Sequence, residues 1–145
     1  MSYAKARDFD RAQPVASGPV SAARRRRGQL AHLSGTLAED SVTRSLEGKG
    51  MTILARRWRG KAGEIDLICR DGQCLIFVEV KQSATHHEAA QRLGAAQQGR
   101  IMRAALEYCE KEGHAPLPEM RFDAALVDGQ GRIEVLERAF EEAFA

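Results

Sequence analysis

The 145-residue chain lacks any apolar run approaching the length of a membrane span, and no apolar stretch of signal-peptide length follows the arginines near its start. These absences lead us to expect a cytoplasmic protein with no membrane partner. Cysteine is scarce. Cys69, Cys74 and Cys109 are odd in number and fall inside stretches that read as regular elements, which suits reduced, buried thiols and not a disulfide framework or a zinc cage. An excess of one charge is also missing, since 22 Lys and Arg stand against 20 Asp and Glu. The balance hides an asymmetry: residues 1–28 hold seven basic side chains against Asp8 and Asp10, for +5, which leaves 15 basic and 18 acidic residues, or −3, in the remainder. The folded part is not itself basic.

The length suits one domain with a proper core. Residues 1–28 are poor in large apolar side chains and contain Pro14, Gly18 and Pro19, so they are expected to form a disordered basic tail, followed by a single domain over residues 29–145. The Arg24–Arg27 run of that tail either contacts phosphates or is simply solvated. A helix is expected from about Gly28 or Ser34 to Leu46, closed by Gly48-Lys49-Gly50. On its period Glu39 lies close to Val42 and Leu46, an unusual place for a carboxylate. It is either a marginal residue paired with an arginine or an acid delivered inward.

The most informative stretch is Gly63–Lys81, which reads as two strands joined by Asp71-Gly72. With those two residues as the loop, Cys69 pairs with Cys74, Asp66 with Phe77 and Glu64 with Glu79. Glu64, Asp66, Glu79 and Lys81 then share one face, with Ile68, Leu75 and Phe77 below them. The opposite face, Ile65, Leu67, Cys69, Cys74, Ile76, Val78 and Val80, is wholly apolar and must be covered. Opposed carboxylates destabilise a bare sheet, and a bound cation is one reason to keep them; solvated strand ends with Lys81 as partner are the other.

Around this hairpin the chain is simpler to read. Met51–Arg59 reads as a strand, and its cluster of Arg56, Arg57, Trp58, Arg59 and Lys61 suits either phosphate contact with stacking or a tryptophan half-buried in the core. Gln82–His87 reads as a loop, whose adjacent histidines form a poor metal site, and a helix is expected from about Glu88 or Gly94 to Lys111. Gln97, Arg100 and Arg103 lie at helical spacing beside its apolar stripe. Met120–Val127 and Arg132–Leu136 read as a second hairpin, with Glu137–Ala145 as a short terminal helix or tail. This order implies an α/β fold, a mixed central β-sheet flanked by helices.

Glu39, Asp66 and the Glu79-Val80-Lys81 triplet, in this order, resemble the signature of the PD-(D/E)XK nuclease superfamily. The blocks Gly63-Glu64-Ile65-Asp66-Leu67-Ile68 and Phe77-Val78-Glu79-Val80-Lys81 resemble more closely the YraN-like proteins, relatives of archaeal Holliday junction resolvases. The resemblance covers about residues 28–140 and implies a restriction-endonuclease-like core and a metal-dependent endonuclease acting on DNA, at branched or single-stranded sites. It implies that Asp66, Glu79 and the Val80 carbonyl hold Mg²⁺ or Mn²⁺, that Glu39 reaches the ion directly or through water, and that Lys81 acts on the attacking water or the phosphoryl charge. Glu64 would support this group from behind. Gln97 stands where a Lys is common in the family and a Gln occurs in some superfamily nucleases, and Ser83 stands where the family commonly has Arg. Nucleic acid is expected to meet Arg56, Arg57, Trp58, Arg59, Lys61 and Arg100, and a homodimer is the further partner expected. The alternative is a nuclease fold kept as a catalytically weak or inactive nucleic-acid-binding or interaction module.

Overall fold

The computed structural model describes residues 19–140. Of the tail expected to be disordered over residues 1–28, residues 1–18 lie outside the described residues, as do residues 141–145 of the expected C-terminal helix or tail. From Pro19 the chain is helical: α1 spans Pro19–Gly48, beginning upstream of the expected start and taking in Arg24–Arg27. Alanine and arginine are strong helix formers, and proline is tolerated at a first helical position, where its missing N–H would have had no partner. The helix closes as expected. Met51 N donates to Leu46 O and Gly50 N to Glu47 O, with Gly50 at φ +93, the two bonds of a Schellman cap.

Five strands follow: β1 (Thr52–Arg59), β2 (Glu64–Asp71), β3 (Cys74–Gln82), β4 (Met120–Val127) and β5 (Ile133–Leu136). They form one sheet in that order, antiparallel except for the parallel β3–β4 pair. Parallel neighbours need a crossover, and here it is built from α2 (His86–Gln91) and α3 (Ala95–Lys111). Thr85 caps α2 by accepting from Glu88 N, so a helix begins inside the stretch expected to be loop, and Arg92–Gly94 break what was expected to be one helix. The result is the α/β fold expected: a mixed sheet between helices, as in a restriction-endonuclease-like core.

The sheet separates two apolar layers. Ala38, Val42 and Leu46 of α1 cover Leu67, Cys69, Ile76, Val78, Val80, Ala125 and Val127. On the other face Ile101, Ala104, Ala105, Tyr108 and Cys109 of α3 cover Ile68, Leu75, Phe77 and Phe122. Residues 137–140 form a turn, and it delivers a buried Phe140 whose ring stacks 5.4 Å from Phe122. Glu137–Phe140 is therefore not the start of a helix. Arg138 sits at φ +57 and its amide is held by Asp123 Oδ1 at 3.1 Å, which turns the chain back onto the core.

The β2–β3 hairpin differs from expectation in register. Asp71 pairs with Cys74, Cys69 with Ile76 and Leu67 with Val78, so the loop is Gly72-Gln73. Gly72 alone takes a positive φ, +61, the pattern of a type II′ turn. Asp71-Gly72 as the loop would have needed a left-handed aspartate. Continuing the observed register, Asp66 comes opposite Glu79, and Glu64 instead faces Arg59 across β1. The change is two residues, an even number, so the expected faces survive. Ile65 is the exception: it joins the α3-side layer, because β2 leaves the β3 ladder at Leu67 and its pleat is no longer tied to β3 beyond that point.

A side chain added at Gly72 would meet nothing within 4 Å, so only its backbone conformation constrains the residue. Gly72→Ala should therefore lower stability by about 1 kcal/mol in urea unfolding, while Gly72→Asn, which visits the left-handed region readily, should cost less.

Candidate active site

Beyond the Leu67–Val78 pair the two strands open into a fork, and the polar residues gather there. Asp66 is 4% and Glu79 6% exposed. Asp66 Oδ2 accepts the Val80 amide at 2.8 Å, a side-chain substitute for the ladder bond that the fork has lost. Glu79 Oε2 accepts from Gln97 Nε2 of α3 at 2.7 Å and lies 3.2 Å from Lys81 Nζ. Asp66, Glu79, Lys81 and Gln97 are thus brought together by one hairpin and one helix. The Val80 side chain points into the α1-side layer.

Glu39 arrives from α1 and is fully buried. Arg57 Nε donates to its Oε1 at 2.9 Å, and Arg57 Nη2 donates to Thr36 Oγ1 at 3.0 Å. Glu39 is therefore inside the fold and not at the margin of the stripe, and it is paired with an arginine. Arg57 makes this contact from φ +52 within β1, a conformation that costs an ordinary residue about 1–2 kcal/mol. Register places Arg57 opposite Asp66, so the strained residue stands at the fork itself.

The electrostatics follow from burial. Burial, then the charge of Glu79, holds the Asp66 carboxyl well above the usual carboxylate range; the Val80 amide opposes this and the Glu39 charge adds to it. Burial also raises Glu79, with Lys81 and the contact to Asp66 pulling the other way. Two carboxylates in one desolvated site keep a proton or need a cation.

The structure redistributes the expected nucleic-acid residues. Arg56 is ion-paired with Asp40, Arg57 with Glu39, and Arg59 with Glu64 at 3.1 Å. Trp58 is half-buried against α3, its ring edge-on to Tyr108 at 5.5 Å with Lys111 Nζ 5.6 Å from its centroid. The three arginines of β1 are thus all ion-paired, the neighbours Arg56 and Arg57 to acids of α1 and Arg59 to an acid of β2. Lys61 is exposed in the β1–β2 loop, and Arg100 is exposed on α3, its Cβ 3.8 Å from where a Gly63 side chain would begin. The Ser83 amide is held by Val127 O at 3.1 Å, and His86 by Arg132 O at 2.8 Å.

Sequence reasoning missed Glu107. Its carboxylate accepts the amides of Lys61 at 2.9 Å and Ala62 at 3.2 Å and so straps the β1–β2 loop to α3. Gly60 in that loop has no room for a side chain, since a Cβ would fall 2.4 Å from Glu107 Oε1; a glycine opening a short loop was the only signal in the sequence.

Residues 38–127 match the family described as "Uncharacterised protein family UPF0102", which spans every one of these fork residues. The chain belongs to that family. UPF0102 is the YraN-like family, placed in the PD-(D/E)XK superfamily. A UPF0102 protein of Ruegeria pomeroyi is 52% identical over 114 residues, 79% of this chain and 93% of the relative. Another, from Cereibacter sphaeroides, is 51% identical over 113 residues, 78% and 97% of the two chains, and one from Dinoroseobacter shibae is 48% identical over 118 residues, 81% and 88%.

The donor set fits a hard divalent ion. Mg²⁺ is usually held by one or two carboxylates plus water and phosphate oxygens, and the fork supplies two buried carboxylates that repel each other. Among the described residues no three His, Cys, Asp or Glu side chains form a ready cage, so any ion here would take its remaining ligands from outside this side-chain set.

Two tests follow. Arg57→Gln removes the guanidinium that donates to buried Glu39 and should destabilise the protein by about 3 kcal/mol in urea unfolding, with Glu39→Gln restoring most of the loss. Because Asp66 and Glu79 have raised values in the folded state, their contribution is fully present below the ordinary carboxylate values and is lost as pH rises through the raised ones. In EDTA, Asp66→Asn should flatten that fall in melting temperature.

Proposed function

We propose that this UPF0102 protein is a metal-dependent endonuclease that hydrolyses DNA phosphodiester bonds in the cytoplasm, at branched or single-stranded sites. The observation that carries the reading is the buried Asp66–Glu79 pair at the fork with Lys81 Nζ 3.2 Å from Glu79. Buried like charges are costly for a sheet to keep, and a two-carboxylate site with an adjacent ammonium is a working arrangement for phosphoryl chemistry. Free thiols at Cys69, Cys74 and Cys109 suit a reducing compartment, and among the described residues no helix is long and apolar enough to cross a membrane.

Asp66 and Glu79, with the Val80 carbonyl, would hold Mg²⁺ or Mn²⁺, and Glu39 would join them on leaving Arg57. When bound, the ion supplies Lewis acidity toward a phosphoryl oxygen and a lowered pKa for water. Gln97 fixes the Glu79 carboxylate through its 2.7 Å hydrogen bond. Lys81 presents a compact ammonium at the same carboxylate, where it orients the attacking water or offsets charge growing on the phosphoryl oxygens.

The second reading, a nuclease fold kept as a binding module, draws support from the Arg57–Glu39 pair, which occupies the third acid. One variant separates the two. Lys81→Met should lower cleavage of junction, single-stranded or duplex DNA by about 10²-fold to 10³-fold while Mn²⁺ binding, followed by calorimetry, persists. Asp66→Ala/Glu79→Ala should lose both. A wild-type protein that binds these DNAs and cleaves none of them with either metal would leave the module reading.

A further inference from the structure

Of the basic side chains expected to meet nucleic acid, the arginines of β1 are consumed by Asp40, Glu39 and Glu64. Two arginines of α3 are placed differently. Arg100 and Arg103 are exposed, and neither has an ion-pair or hydrogen-bond partner among the described residues. With Gln97 they recur every third residue, so they share one flank of the helix, and that flank begins at the fork, where Gln97 grips Glu79. Arg100 roots beside Gly63, the residue that leads into β2. The Arg103 guanidinium folds back toward the same end: its Nη1 would lie 3.4 Å from a side chain begun at Gly99.

The acid that could neutralise this strip is already engaged. Glu107 stands four residues past Arg103 and is taken by the Lys61 and Ala62 amides and by Lys111 Nζ at 3.2 Å. That same strap holds the loop bearing exposed Lys61 against α3. The two arginines are thus left as solvent-facing cations in a domain whose net charge is negative.

We infer that the α3 flank of Arg100 and Arg103 is the phosphate track along which the DNA strand leaves the fork on one side of the scissile bond. This deepens the proposed function and rests on it. Gln97 to Arg103 spans about 9 Å along the helix, the axial length of two to three phosphates of a duplex strand at about 3.4 Å each. The substrate must therefore extend by at least that many phosphates beyond the reacting one, which a small phosphorylated molecule does not.

The test is fluorescence anisotropy with a labelled four-way DNA junction, a single strand and a duplex of about 20 base pairs in Ca²⁺, each titrated between about 50 and 200 mM salt. Arg100→Ala/Arg103→Ala should weaken binding at least about ten-fold and reduce the slope of log K against log salt by roughly 2, while Arg100→Lys/Arg103→Lys keeps the slope. Arg56→Ala/Arg59→Ala should leave the slope at its wild-type value, and the exposed α3 changes should leave the melting temperature unaltered. An unchanged slope in the α3 variant, a slope lost in the β1 variant instead, or tighter binding of RNA of the same length overturns the inference. If Lys81→Met still cleaves while the slope depends on α3, the catalytic assignment fails and the track stands; if the wild type binds no DNA, both fail.

Discussion

Two carboxylates that sit opposite each other out of water are the constraint on which this molecule turns. Asp66 and Glu79 face one another where β2 and β3 part, and each is almost wholly removed from solvent. Nothing in a bare sheet rewards that arrangement. The surrounding elements each offset part of its cost: the Val80 amide binds Asp66, α3 brings Gln97 to Glu79, and Lys81 supplies a positive charge two residues along the same strand. The apolar layers on both faces then keep water from relieving the repulsion, which is why burial holds both carboxyls above their usual range.

Much of this was legible in the sequence because it depends on periodicity. Strands alternate with a period of two, so an error of two residues in the hairpin register left Glu79 and Lys81 on the α3-side face and Leu67, Ile76 and Val78 on the α1-side face. What changed was the partner: Asp66 instead of Glu64 stands against Glu79, because one glycine took the single left-handed position of the turn. The inward position of Glu39 was likewise written in its spacing from Val42 and Leu46.

What could not be read was pairing between distant segments. The arginines of β1 look like a free cationic cluster in a linear string, and the fold brings Asp40, Glu39 and Glu64 to them from a helix and a neighbouring strand. Glu107 is invisible for the same reason, since its role exists only once α3 lies beside the β1–β2 loop, more than forty positions earlier in the chain. The start of α1 was missed on other grounds: low hydrophobicity argued for disorder, while local propensity favoured helix.

The two-residue turn at Gly72-Gln73 has a consequence for how this lineage can change. It meters the hairpin in steps of two, so gaining or losing a pair of residues there re-deals cross-strand partners yet keeps each acid on its side of the sheet. A single-residue insertion would shift the pairing by an odd step, sending Glu79 toward α1 and Val80 toward α3 if the rest of β2 held its place. A one-residue insertion at this tip keeps the acids in place only where a three-residue loop or a bulge takes it up and the strands retain their pairing.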